Sequence, residues 1–354
     1  MVEWLAGNRI RGTSAEKPVL GLPSGSVGGW KEIGRKKIGS EGNSIDVGTI
    51  TGKKYLMFLS YISDDSGSLL GSLRFNNDSS GTNGSSGNYS HRSSSNGGTD
   101  WTGVLQNKLR YGGGTSATQQ FNVATLANKS DKEKLMYSHM AYTQSGTLYR
   151  EETAGKWANT LAQITDVELV NTNSGSFDSD NEIVVLGWDP DDTHTTNFWE
   201  ELASVELDAT SSILDSGTFT AKKYLWGQIY AKGAGSINPN LQFNGITTGN
   251  EYSSRWASDG TIGDSASRND LINNSNGGSV NSFINFFIIN DSAKNKYMIS
   301  HEVNPSTTAN ASSPPSRNEA VGKWANTSAQ ITRITTKSAG TYAVGSTIKV
   351  WGSD

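Results

Sequence analysis

Cysteine is absent from the 354 residues, and histidine occurs only four times. The first absence excludes a disulfide framework, a thiolate metal site and a cysteine nucleophile. The second leaves little material for imidazole chemistry. No apolar run approaches the roughly eighteen residues of a membrane-spanning helix; the longest, Phe283 to Ile289, contains Asn285. The opening Met1-Val2-Glu3-Trp4-Leu5-Ala6 lacks a basic segment followed by a long apolar one, so no secretory signal is expected, and synthesis in the cytoplasm is. A net charge of -4 with interspersed signs gives no basic stripe and no electrostatic footprint for nucleic acid. Neither H-E-x-x-H, a P-loop, G-x-S-x-G nor a dinucleotide fingerprint is present.

What is present is a repeat. Gly155-Lys156-Trp157-Ala158-Asn159-Thr160 recurs as Gly322-Lys323-Trp324-Ala325-Asn326-Thr327, and each copy is followed at the same distance by Ala-Gln-Ile-Thr. Upstream, Trp30-Lys31-Glu32 answers Trp199-Glu200-Glu201, Lys53-Lys54-Tyr55-Leu56 answers Lys222-Lys223-Tyr224-Leu225, and Leu73-Arg74-Phe75-Asn76 answers Leu241-Gln242-Phe243-Asn244. A near-constant offset means one fold used twice. The expected organisation is an N-terminal arm at 1–29, a first domain at 30–190, a linker at 191–197 and a second domain at 198–354.

Forty glycines against seven prolines, with abundant Ser, Thr and Asn, would suggest disorder if spread evenly. They cluster instead between apolar runs, as turn residues do in an all-β chain. Strands are predicted at 54–62, 69–76, 118–128, 134–143, 163–170 and 182–188, and at 222–230, 240–244, 251–257, 282–290, 296–303, 330–335 and 347–351. Residues 77–100 and 258–278 read as long polar loops, broken in the first copy by a short strand at 89–92. With seven or eight strands per copy and no convincing helix, the fold class is all-β: two tandem, homologous, jelly-roll-like β-sandwiches behind the arm.

Candidate chemistry is sparse. His139 and His301 are equivalent and read as hydrogen-bonded residues of the inner face or sheet margin, while His91 and His194 have no counterparts. Asp64-Asp65, Asp78 and Asp189-Pro190-Asp191-Asp192 lack the spaced ligands of a calcium loop and read as solvated turn residues. A glycosidase needs two facing carboxylates, and the one matched acidic pair, Glu32 and Glu201, sits beside a Trp at a strand start. Hence no catalytic set, metal or cofactor is expected. Ten tryptophans are many. Trp157/Trp324 and Trp30/Trp199 recur in both copies, as packing elements do, whereas Trp101, Trp226 and Trp256 belong to one copy each and are the candidates for a ligand surface. The arm, with Trp4, Leu5, Arg9 and Arg11, is either a loosely docked terminus or a segment that binds a neighbouring subunit.

Trp30 to Arg35, Lys53 to Leu56, Arg74 to Asp78, Asn88 to Arg92, Asn96 to Gly98 and the Gly-Lys-Trp-Ala-Asn-Thr hexapeptide together resemble a recurrent β-sandwich module of uncharacterised structural proteins from tailed viruses of environmental, especially marine, microbes and archaea. The second copy departs from that pattern, with Gln242 for the Arg and Ile246 for the Asp. The resemblance implies a non-enzymatic virion protein that decorates the capsid or forms part of a head or tail fibre. Capsid or tail proteins of the same virion would be its partners, in a homo-oligomer with a trimer favoured. A double jelly-roll capsomer and a carbohydrate-binding adhesin module that meets a host-surface glycan are the alternatives. Neither nucleic acid nor membrane is expected as a partner.

Overall fold

The computed structural model describes residues 29–354 apart from 65–66, 82–85, 96–99, 191, 193–196, 272–278 and 306–313, together with the backbone at 3–4 and 10–11. Those last four residues form strands β1 (Glu3–Trp4) and β2 (Ile10–Arg11), which pair antiparallel. The rest of the arm, including Leu5 and Arg9, lies outside the described residues, as do the side chains of Trp4 and Arg11. By contacts the chain divides into one unit of residues 1–147 and 151–199 and a second of residues 148–150 and 200–354. The described residues form strands and no helix.

The first unit contains β3 (Lys31–Lys37), β4 (Ser44–Thr49), β5 (Tyr55–Ser63), β6 (Leu69–Phe75), β7 (Tyr89–Ser95), β8 (Asp100–Gln106), β9 (Leu109–Ala117), β10 (Gln119–Ala127), β11 (Lys134–Gln144), β12 (Thr147–Trp157), β13 (Asp166–Asn171) and β14 (Glu182–Trp188). Eight of them form one antiparallel sheet in the order β3-β14-β5-β10-β11-β12-β7-β8, and β4-β13-β6-β9 form the facing one. Period-two alternation puts Leu56, Phe58 and Ile62 of β5 and Ala124 and Leu126 of β10 on the face that meets Leu73, Phe75, Val167 and Leu169 of the smaller sheet.

The second unit contains β15 (Glu200–Glu206), β16 (Ser211–Thr218), β17 (Tyr224–Ile237), β18 (Asn240–Phe243), β19 (Tyr252–Ser258), β20 (Thr261–Arg268), β21 (Ser279–Ile289), β22 (Lys296–Asn304), β23 (Ser316–Trp324), β24 (Arg333–Tyr342) and β25 (Thr347–Ser353). Its large sheet runs β15-β25-β17-β21-β22-β23-β19-β20, which is the order of the first sheet strand for strand. Facing it, β24 pairs with β16 and β18 and also joins β17 at Gly233↔Tyr342, so that all eleven strands are connected, and a single bridge between Leu241 and Leu271 stands where β6 meets β9 in the first unit.

Several strands exceed the sequence reading. The polar loop expected over 258–278 contains β20, held to β19 in register Trp256↔Gly263, and the first loop ends in its equivalent, β8. Both lie at a sheet margin, where one neighbour and a solvated face leave no regular hydrophobic period to detect, β8 even exposing Trp101, Val104 and Leu105.

The repeated residues explain themselves through one set of buried brackets. Asn128 donates to the Lys53 and Ile164 carbonyls and accepts from the Ile164 amide, and Asn290 does the same with Lys222 and Ile331. Asn76 and Asn244, at φ of 50° and 54°, each clasp the segment after the hexapeptide through Gln163, Thr165 and Asp166 or Gln330, Thr332 and Arg333. Lys134 and Lys296 lie over the Trp157 and Trp324 rings at 5.6 and 5.7 Å and donate to the Asn159 and Asn326 carbonyls. Trp30, Trp157, Trp199 and Trp324 are all buried. The hexapeptide is therefore a core plug and loop anchor.

Where the copies differ, the difference is compensated. Trp157 Nε1 donates to Asp78, and with Ile246 in that place Trp324 Nε1 donates to Glu251 instead, at 2.7 Å. Arg74 pairs with Glu168, whereas Gln242 donates to the Asn269 carbonyl.

Candidate functional site

In the first unit β8 ends the large sheet and sets Trp101 opposite Ser93 of β7. The indole is half exposed, at 50 %. Beneath it the Arg110 guanidinium sits 5.2 Å from the ring centroid and forms a two-pronged bond to Glu151, at 2.8 and 3.1 Å. Arg110 and Glu151 are both buried. Burial pushes the Glu151 carboxyl up, against the opposing pull of Arg110 and of a hydrogen bond from Ser93. On the same face of β7, His91 packs over Gly103, where an added Cβ would lie 2.4 Å from the imidazole. Burial, and secondarily the Arg110 charge, lower its pKa to about 4, so the ring is neutral near pH 7. The Thr153 hydroxyl and His91 Nδ1 are buried there without a hydrogen-bond partner. The arrangement is an open aromatic platform on a locked ionic base, suited to stacking.

The second unit carries a different exposed feature. Tyr230, Phe283 and Val303 stand in register on β17, β21 and β22. They line a cleft of about 360 Å³ with Asn281, Asn304 and Pro305. Tyr230 and Phe283 are 42 % and 39 % exposed, while Tyr61 and Phe121, paired at the equivalent positions of the first unit, are 4 % and 1 % exposed. Sequence reasoning missed this cleft because both copies carry the same aromatic pair, and nothing local distinguishes a covered face from an open one.

Of the three single-copy tryptophans, only Trp101 meets the expectation of an open surface. Trp226 is corrected: it is 4 % exposed, stacked on Phe287 at 5.8 Å and against Trp351 at 5.0 Å, with Nε1 donating to Asn285. Alternation sends it to the outward face of β17, but neighbouring aromatics cover it there. Trp256 is half-buried with its ring over Gly263 of β20. His139 lies on the outer face of its sheet with exposed Leu135 and Tyr137, its Nδ1 3.2 Å from a Glu152 carboxylate oxygen. The acidic clusters are corrected as well. Asp64 accepts from the Gly67 and Ser176 amides, Asp189 accepts from the Lys54 amide, and Asp192 pairs with Lys53. These carboxylates tie loops together and are not simply solvated. Burial pushes the Asp78 carboxyl up, but bonds from Ser80, Trp157 and Asn88 outweigh it and hold the group below the usual range.

No protein-family model matches the chain, and no curated protein does. Among solved structures, domains LG4-5 of the mouse laminin alpha1 chain are similar at 9 % identity over 90 % of this chain and 89 % of that one, with a TM-score of 0.18. A likeness that slight carries no argument about fold or function.

Proposed function

We propose that the chain is a non-enzymatic structural protein of a virion, one that decorates the capsid or builds part of a head or tail fibre through protein–protein contacts. The observation that supports a packing and adhesive role is the division of labour between shared and unshared residues. Residues kept in both copies, Asn76/Asn244, Asn128/Asn290, Lys134/Lys296 and Trp157/Trp324, are engaged in the same internal brackets. Those that differ include exposed side chains of strands at the sheet margins, such as Trp101 on β8. A scaffold kept twice with freely varied margins suits a part that packs and adheres. The virion assignment itself rests on the sequence resemblance. Immunogold labelling of intact particles with antibody against the chain tests it: label on the capsid or tail surface supports the reading, and particles without label overturn it.

A carbohydrate-binding adhesin is the second reading, favoured by the Trp101 platform. An indole held from below by Arg110 is preorganised, with its other face available to the C–H face of a sugar ring. A glycan array probed with the full chain and with Trp101→Ala separates the two readings. Hits lost in the variant support the adhesin, and an array without hits removes it.

A further inference from the structure

The first strand of each large sheet is an edge. Among the described residues β3 pairs only with β14, and β15 only with β25. These are equivalent strands of the two copies, each seven residues long, yet they carry opposite charge. On β3, Lys31, Arg35, Lys36 and Lys37 stand against the single carboxylate of Glu32, a net +3. On β15 the charged residues are Glu200, Glu201 and Glu206, a net -3 for the strand itself, with Lys222 of the same unit 3.4 Å from Glu200. Lys31, Lys36, Lys37 and all three glutamates are exposed, Lys37 also pairing with the exposed Asp180 at 2.8 Å, so that docking would exchange that surface pair for one with the second copy.

We infer that the β3 edge of one copy docks on the β15 edge of a second copy, so that the chain assembles head to tail. Three observations converge. Charged residues on an edge strand normally prevent sheets from joining; here they prevent β3 from meeting β3 and β15 from meeting β15, and leave only the mixed contact attractive. The register also fits. Laid antiparallel and end to end, the strands place Lys31 opposite Glu206, Lys36 opposite Glu201 and Lys37 opposite Glu200, each a cross-strand pair of opposite sign. Glu32 then falls opposite Val205, and it is already bonded to Arg35. A parallel arrangement would set Glu32 against Glu201, so the charges select one direction.

Finally, each strand carries one bulge against its inner neighbour, at Ile33 and at Leu202. A bulge interrupts the outward row of backbone donors and acceptors, so the contact depends on its ion pairs and is sensitive to salt. Because the two docking surfaces differ, the contact is heterologous: it closes into a ring if the rotation permits and otherwise extends as a filament. This inference is independent of the virion reading, since it concerns copies of this chain alone.

Sedimentation velocity of the full chain tests it. Multimers that grow with protein concentration are expected at an ionic strength of about 0.01 M, where the screening length is roughly 30 Å, and a monomer at about 1 M, where it is roughly 3 Å. Reversing one edge, by Lys31→Glu with Lys36→Glu and Lys37→Glu or by Glu200→Lys with Glu201→Lys and Glu206→Lys, abolishes multimers. Mixing the two reversed chains restores them, because one is acidic at both edges and the other basic at both. The milder Lys→Gln and Glu→Gln sets at the same positions lose multimers too, which keeps the test open if a reversed chain does not fold. A monomer under all conditions, or multimers that persist in every edge variant, overturns the inference. Assembly by a chain that is missing from particles would uphold it while removing the virion reading.

Discussion

Asn128 Oδ1 accepts the backbone N–H of Ile164 at 2.7 Å, and the same side chain donates to the Ile164 carbonyl at 3.2 Å. One buried amide thus satisfies both polar groups of a residue outside any strand, a role Asn290 repeats for Ile331. Asn128→Ala leaves those groups buried and unpaired and is expected to destabilise the first unit by about 3 kcal/mol. Asn128→Asp is expected to cost more, because a carboxylate cannot donate to two carbonyls. Chemical denaturation with a probe in each unit checks this. Loss confined to the first unit is the expected outcome.

A second prediction concerns the core. Phe58 on β5 faces Ala124 on β10, whereas the equivalent pair in the second unit is Gly227 on β17 and Phe286 on β21. All four are buried. The aromatic ring has changed strands, and a Cβ added at Gly227 would lie 2.1 Å from the Phe286 ring. Gly227→Phe alone is therefore expected to overpack the core by about 1–3 kcal/mol or more. Combined with Phe286→Ala, it should regain most of that loss, a coupling that a double-mutant cycle of melting experiments would measure.

That swap shows how far the sequence could be read. Positions that keep their residue type, such as Trp157 and Trp324, reveal the duplication and, through strand alternation, the core. Phe58 and Gly227 share no residue type, so the conserved volume of the pair is invisible until the strands are paired. The marginal strands β8 and β20 were hidden for a different reason: a solvated strand with one neighbour needs no apolar period. The exposed tryptophan was half legible. Single-copy occurrence pointed equally to Trp101 and Trp226, and only packing against Phe287 and Trp351 told them apart.

The pH dependence of the first unit follows from His91. Its pKa is lowered to about 4 in the folded chain, against about 6.5 when unfolded. Between those values the unfolded chain holds the extra proton. The contribution to stability is therefore full above the unfolded value and is lost as pH falls through the window toward the folded one. The effect is capped at about 3 kcal/mol and reduced by the partial exposure of the ring. Melting temperatures across that window should fall more for the parent chain than for His91→Gln. Equal slopes would mean that the imidazole is not held neutral by its surroundings.

The Trp101 site separates folding from binding. Glu151→Ala strands the buried Arg110 charge and is expected to cost about 3–5 kcal/mol. Trp101→Ala removes a half-exposed ring and should cost no more than about 1 kcal/mol. Any ligand, glycan or protein, that stacks on the platform would then be lost in Trp101→Ala at nearly unchanged melting temperature. Retention of binding would place the contact elsewhere.

Mass spectrometry of purified particles tests most directly whether this duplicated sandwich serves as a building part. Peptides of the chain are expected at a fixed ratio to the major shell protein, unchanged through successive gradient purifications. A chain recovered only in the soluble lysate, with none in the particle fractions, would contradict it.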